Sequence, residues 1–92
     1  MSGEKTPRAI EARAMQELLR ALGKRICSRR AEKGFSQEDF AEACDLHRTE
    51  MGLLERGKST PRLDTLLSLA EGLGISVSEL LQGLSRGQKT KA

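Results

Sequence analysis

Phe35-Ser36-Gln37-Glu38-Asp39-Phe40-Ala41-Glu42-Ala43-Cys44-Asp45-Leu46-His47-Arg48-Thr49-Glu50-Met51-Gly52-Leu53-Leu54-Glu55-Arg56-Gly57 is the stretch whose reading decides the fold. Ser36 can accept from the backbone three residues on, Asp39 sits at the third helical position, and Phe35 and Phe40 occupy the two staple positions that fix a helix entry. A helix therefore starts here and runs to about Ala43. Its shortness is informative, because Leu46-His47-Arg48-Thr49 opens a second helical segment that continues through Met51, Leu54 and Glu55 until Gly57 stops it. In a helix-turn-helix, two such helices cross steeply through a tight turn. The crossing needs a small side chain on the first helix, supplied by Ala41, and apolar side chains on the second that reach back to a core, supplied by Met51 and Leu54. The turn needs a residue that tolerates a left-handed backbone, and Asp45 does so less comfortably than glycine. Residues 37–56 are predicted to form a helix-turn-helix.

Toward the N-terminus, residues 1–5 are polar and read as loose, and Thr6-Pro7 offers an N-cap followed by a proline at the first helical position. Ile10, Ala14, Leu18, Leu22 and Ile26 then recur every four residues up to Gly34, with Gly23 weakening the middle. The pattern predicts either one long helix or a short leading helix followed by a core helix over 18–33. Toward the C-terminus, Thr60-Pro61 repeats the cap-and-proline start, and Leu63, Leu66, Leu67, Ala70 and Leu73 form an apolar face ending at Gly74. Ile75-Ser76-Val77-Ser78-Glu79-Leu80 holds both a capping box and a staple, which predicts a fifth helix over 77–84. The basic, glycine-containing end reads as a fraying tail.

The expected architecture is all-α, a compact five-helix repressor-like domain with an N-terminal helical extension. Its parts are an extension over 1–17, the helix-turn-helix domain over 18–84 and a flexible basic tail over 85–92. A chain of 92 residues buries only about 60% of its unfolded surface, so the core is small. Met51, Leu54, Leu63, Leu66, Leu67, Leu73, Ile75, Val77, Leu80 and Leu81 are assigned to it.

Net charge is +3, and the basic residues gather at Lys24, Arg25, Arg29, Arg30 and Lys33 and again at Arg56, Lys58 and Arg62. Such a balance favours polyanions, although solvated helix faces are also rich in Lys and Arg. Cys27 and Cys44 stand far apart with only His47 as a further soft ligand, so neither a metal site nor a disulfide framework is indicated. No apolar run approaches the ~18 residues of a membrane span, and the first residues lack the pattern of a signal peptide, so a cytoplasmic protein is expected. No nucleophile, base and orienting group stand as a set, and no cofactor or small-molecule effector is indicated. The chain does not read as an enzyme.

Leu22-Gly23-Lys24-Arg25-Ile26, Gly34-Phe35-Ser36-Gln37-Glu38-Asp39-Phe40-Ala41, Leu53-Leu54-Glu55-Arg56-Gly57-Lys58 and Pro61-Arg62-Leu63-Asp64-Thr65-Leu66-Leu67 together resemble the Cro and phage-repressor type (Xre-like) helix-turn-helix family, over roughly residues 20–84. The resemblance implies a set of DNA contacts. Ser36 and Gln37 fall at the start of the bracing helix, where the family meets a phosphate. His47, Arg48, Thr49, Gly52 and Leu53 fall on the outward side of the recognition helix, where relatives contact base edges. Arg48 is the strongest base reader, because a guanidinium can bridge O6 and N7 of guanine. Thr49 suits a thymine methyl or a phosphate, while His47 bonds a phosphate or merely begins the helix. Leu53 departs from the usual polar residue and either meets a thymine methyl or packs inward. Lys58 and Arg62 match positions from which the backbone or minor groove is approached. Glu55 matches a carboxylate that steadies the domain internally, and Arg56 a surface arginine. Cys27 and Arg29 depart from the family pattern, in which Arg and Leu are common.

Two functions follow from this likeness. The first is a transcriptional regulator that binds a partly palindromic operator as a homodimer, its seam lying on Leu84 and the outer side of the last helix or on Ile10, Leu18 and their neighbours. The second is an antitoxin-like adaptor that holds a protein partner through an exposed helix or its N-terminal segment and uses DNA binding for autoregulation.

Overall fold

Five helices, α1 (Pro7–Glu32), α2 (Gln37–Ala43), α3 (Arg48–Glu55), α4 (Leu63–Leu73) and α5 (Val77–Leu80), make up the computed structural model, which describes residues 7–85. The expected Thr6 cap, the loose first residues and the basic tail beyond Ser85 lie outside the described residues.

Of the two forms open for the first segment, the chain takes the single helix of 26 residues. Its four-residue apolar repeat does not stay on one face. On a helix of 3.6 residues per turn such a repeat drifts by about 40° a step, so Ile10 comes to lie roughly 160° around from Ile26. Leu22 and Ile26 are accordingly buried, whereas Ile10 is 52% exposed. Residues 8–13 are exposed throughout, so the first turns of α1 stand clear of the core.

The caps follow the local chemistry. Ser36 Oγ accepts from Asp39 N at 3.0 Å and Ser76 Oγ from Glu79 N at 3.0 Å. The staple is formed by the rings of Phe35 and Phe40, 5.3 Å apart and tilted by 45°. At the end of α2, Asp45 takes φ 59°, Leu46 N donates to Ala41 O at 2.8 Å and Asp45 N to Glu42 O at 3.0 Å. This is a Schellman closure with aspartate in the left-handed position that glycine normally fills.

Three expectations about the C-terminal half are corrected. α4 begins two residues after the Thr60-Pro61 signal, with Arg62 as N-cap and no side-chain cap bond. Its buried face is Thr65, Leu69, Ala70 and Leu73, while Leu63 is 68% and Leu67 46% exposed. Thr65 lies one turn before Leu69, and the stripe they define leaves Leu63 and Leu67 on its flank. α5 is a single turn rather than a helix over 77–84. Arg25 Nη1 donates to Leu80 O at 3.0 Å and to Gln82 O at 2.6 Å, occupying carbonyls a longer helix would use, and Gly83 turns left-handed with φ 78°.

Leu22, Ile26, Phe40, Ala41, Cys44, Met51, Leu54, Leu69, Ala70, Leu73 and Leu80 form one core, with Leu66, Ile75, Val77, Leu81 and Leu84 half-buried at its edge. A β-carbon on Gly72 would stand 2.7 Å from Cys44 Sγ and 3.0 Å from the Phe40 ring. The missing side chain thus lets α4 close on α2.

Candidate nucleic-acid interface

The two helices of the tight motif are fixed from behind and open in front. Met51 and Leu54 anchor α3 in the core at 0% and 2% exposure. At the C-terminal end of α3, Glu55 is the centre of a hydrogen-bond network that joins three helices. Arg30 Nε donates to Glu55 Oε2 at 2.6 Å and Arg30 Nη2 to Glu55 Oε1 at 3.1 Å, while Gln37 Nε2 reaches the same Oε1 at 3.0 Å. Arg30 Nη1 also donates to Phe35 O at 2.9 Å, tying the connection ahead of α2. The Glu55 hydrogen bond raises the pKa of Arg30, against a smaller opposing effect of burial. Glu55 thus has the internal steadying role that its sequence position implied. Its partner Arg30, 25 residues away, carries no local signal that separates it from Arg29.

The front of α3 presents its first turn. Arg48 and Thr49 are exposed, and His47 is the N-cap, with Nδ1 accepting from Thr49 N at 3.4 Å. His47 thus begins the helix, one of the two roles open for it. His47 and Arg48 border a recess between α2 and α3 that is also lined by Glu38, Glu42 and Asp45, so the outer edge of α2 is acidic. Leu53 is half-buried, between its two expected orientations.

Gly52 departs from expectation. It is buried, because the Arg56 guanidinium and the Gln37 amide close over it. A β-carbon there would stand 3.2 Å from Arg56 Nη1 and 3.6 Å from Gln37 Oε1. Little of its surface is open in this arrangement. The remaining expected contacts are dispersed. Ser36 is exposed with its hydroxyl engaged as a cap. Lys58 borders a groove with Gln16, Leu19 and Arg20 of α1, and Arg62 is exposed at the head of α4, 3.5 Å from Asp64 Oδ1. The arrangement can offer donors to a polyanion but contains no constellation for bond-making chemistry. Among the described residues no group of three or more His, Cys, Asp and Glu is placed to hold a metal ion, and no helix is long and apolar enough to cross a membrane.

Comparison with known proteins gives this geometry a context. Residues 28–80 match the family model described as Helix-turn-helix, HTH_3. The chain is 42% identical over 69 residues to the control protein C.SmaI of Serratia marcescens, a match covering 73% of this chain and 82% of that one. It is 40% identical over 63 residues to the HTH-type transcriptional regulator DdrOP3 of Deinococcus deserti, covering 68% of this chain and 49% of the regulator, so it spans only about half of that protein. Among solved structures, the restriction-modification controller protein C.AhdI of Aeromonas hydrophila superimposes with a TM-score of 0.65 at 38% identity, over 70% of this chain and 96% of that chain. Each of the three is named for regulation or control.

Proposed function

Because this chain belongs to the helix-turn-helix (HTH_3) family, we propose that it is a sequence-specific, DNA-binding transcriptional regulator that acts as a homodimer on a partly palindromic operator. The observation that carries the proposal is the contrast across α3, whose inner side is buried and braced through Glu55 while its first turn leaves Arg48 and Thr49 exposed. A rigid helix with a free polar first turn is what reading a major groove requires. Arg48 and Thr49 read base edges, Leu53 contributes apolar contact to a thymine methyl, and His47 sets the start of the helix beside them. Ser36, Gln37, Lys58 and Arg62 meet the backbone. Gly52 leaves the reading set because it is covered.

Two copies place their recognition helices in major grooves about one turn apart, ~34–36 Å. The exposed Leu63 and Leu67 on α4 supply apolar surface that suits self-association. The exposed surface of residues 8–13 on α1, Ile10 among them, favours a second reading as an adaptor for a protein partner. Selection of bound sequences from a random duplex library by the full chain tests the proposal. An inverted repeat with half-sites one turn apart supports the dimeric regulator. Absence of any enrichment, together with stoichiometric co-purification of an unrelated small protein, would move the assignment to the adaptor.

A further inference from the structure

Arg20 sits where α1 meets the loop that follows α3. A β-carbon on Gly57 would stand 2.8 Å from Arg20 Cα and 3.0 Å from its Cγ. Gly57, left-handed at φ 72°, thus lets the loop lie directly on α1, and Lys58 comes to share one groove with Gln16, Leu19 and Arg20. Arg20 and Lys58 are both exposed at that groove.

From this junction α1 continues toward its N-terminus with no core to cover, since residues 8–13 are exposed throughout. At about 3.6 residues per turn, Arg13, Gln16 and Arg20 fall within roughly 60° of one another around the helix. Leu19 of the groove borders this arc on one side and Glu17 on the other, while Glu11 lies on the opposite face. Arg13 and Arg20 are exposed, and among the described residues neither is ion-paired with a carboxylate. They stand about 10 Å apart along the axis, close to three steps of about 3.4 Å between the phosphates of one strand. A basic helix face alone is no more than a solvated face. This one starts beside Lys58, a backbone contact in the reading above, and leads away from it.

We infer that this face of α1, through Arg13 and Arg20, is a second DNA surface that follows the phosphates outward from Lys58, beyond the duplex that the helix-turn-helix covers. The inference rests on the DNA-binding reading above and extends it to a part of the chain that precedes the residues 28–80 matching the family model. A duplex suits the face better than an acidic protein does. Protein interfaces are built around an apolar centre, and the arc holds no large apolar side chain, Ile10 lying about 80° around the helix from Arg20. Guanidinium groups meeting phosphates need only charge and donors. Such contacts position the protein and carry no base preference.

The test compares the full-length parent chain with Arg13→Gln, Arg20→Gln, their double variant and Arg8→Gln. The last is a charge-matched control, exposed on α1 but about 120° around the helix from Arg20. Glutamine keeps the helix propensity and the first part of the side chain that meets Gly57, so circular dichroism should show every variant folded like the parent. The probes are the site enriched by selection, in a duplex with about 15 flanking base pairs on each side and in one trimmed to the site, titrated between about 50 and 200 mM salt. On the long duplex the double variant is expected to bind about tenfold more weakly, with a salt slope lower by about two and unchanged base preferences. Arg8→Gln stays within about twofold of the parent, and trimming the flanks removes the effect of Arg13→Gln. Unchanged affinity and slope in the double variant, in a parent that binds DNA, overturn the inference. So does a loss in Arg8→Gln equal to that in Arg13→Gln, which is the signature of net charge alone, a changed base preference, or an Arg13→Gln loss that survives trimming. A parent that binds no duplex removes the DNA reading itself, a result distinct from these.

Discussion

Gly23 of α1 lies so close to Glu55 at the end of α3 that a β-carbon on it would stand 2.5 Å from the Glu55 carbonyl oxygen, and 2.6 Å from that of Leu54. No real β-carbon tolerates such distances to backbone. A glycine inside a long helix costs about 1 kcal/mol relative to alanine, and here that cost is offset by the closest contact between α1 and the recognition helix. Gly23→Ala is therefore expected to destabilise the chain by about 1–3 kcal/mol, despite the better helix former. Urea denaturation checks this, and a stabilised variant would mean that the two helices are free to separate.

Glu55 gathers Arg30 and Gln37. Removing the carboxylate leaves a mostly covered guanidinium and a half-buried amide without their partner, which costs about 3 kcal/mol. Glu55→Ala should thus melt well below the parent, and replacing Arg30 by Met in that background should recover part of the loss, since an apolar side chain needs no partner. Equal stability of Glu55→Ala and parent would reduce the network to a surface feature.

Asp45 holds φ 59° in the turn between α2 and α3. A left-handed backbone strains any residue with a β-carbon, aspartate less than most. Asp45→Gly is expected to raise stability by about 0.5–1 kcal/mol, readable as a higher denaturation midpoint with an unchanged slope. A loss instead would show that the aspartate side chain holds the turn.

Cys44 is enclosed between α2 and α4, and burial pushes its thiol from 9.0 up to about 11. At pH 8 a disulfide reagent should label the half-exposed Cys27 in the folded chain and reach Cys44 only on unfolding. The shift also fixes a sign. Between pH 9 and 11 the unfolded thiol loses its proton while the folded one keeps it, so this stabilisation is complete below pH 9 and falls away as pH rises toward 11. In Cys44→Ala the fall over that window should be shallower than in the parent; an identical fall would remove Cys44 as its source.

The features legible in the sequence were those whose physics is local. Ser36 and Ser76 cap the helices they precede, Phe35 meets Phe40, and Asp45 turns left-handed, because each contact spans five residues or fewer. What escaped was set by distant partners. In the sequence pattern of α4, Leu63 and Leu67 outweigh a polar Thr65, yet the packing of α4 on α1 and α5 decides which flank is covered. The local signals predict too long a fifth helix because its end is held by Arg25, which donates to Gln82 O from 57 residues away. Gly52 looked outward by helical period alone, and its covering side chains come from Gln37 and Arg56. The same limit applies to the candidate site: its first turn reads as exposed polar residues and Glu55 as an internal brace, whereas Arg30, the partner of Glu55 from 25 residues away, does not.

The claim that α3 reads sequence through Arg48 is tested most directly by repeating the random-duplex selection with Arg48→Ala. The predicted result is a site that keeps its spacing and most of its base preferences but loses preference at one position of each half-site, with about 1–3 kcal/mol less discrimination there. A profile identical to that of the parent at every position would contradict the account.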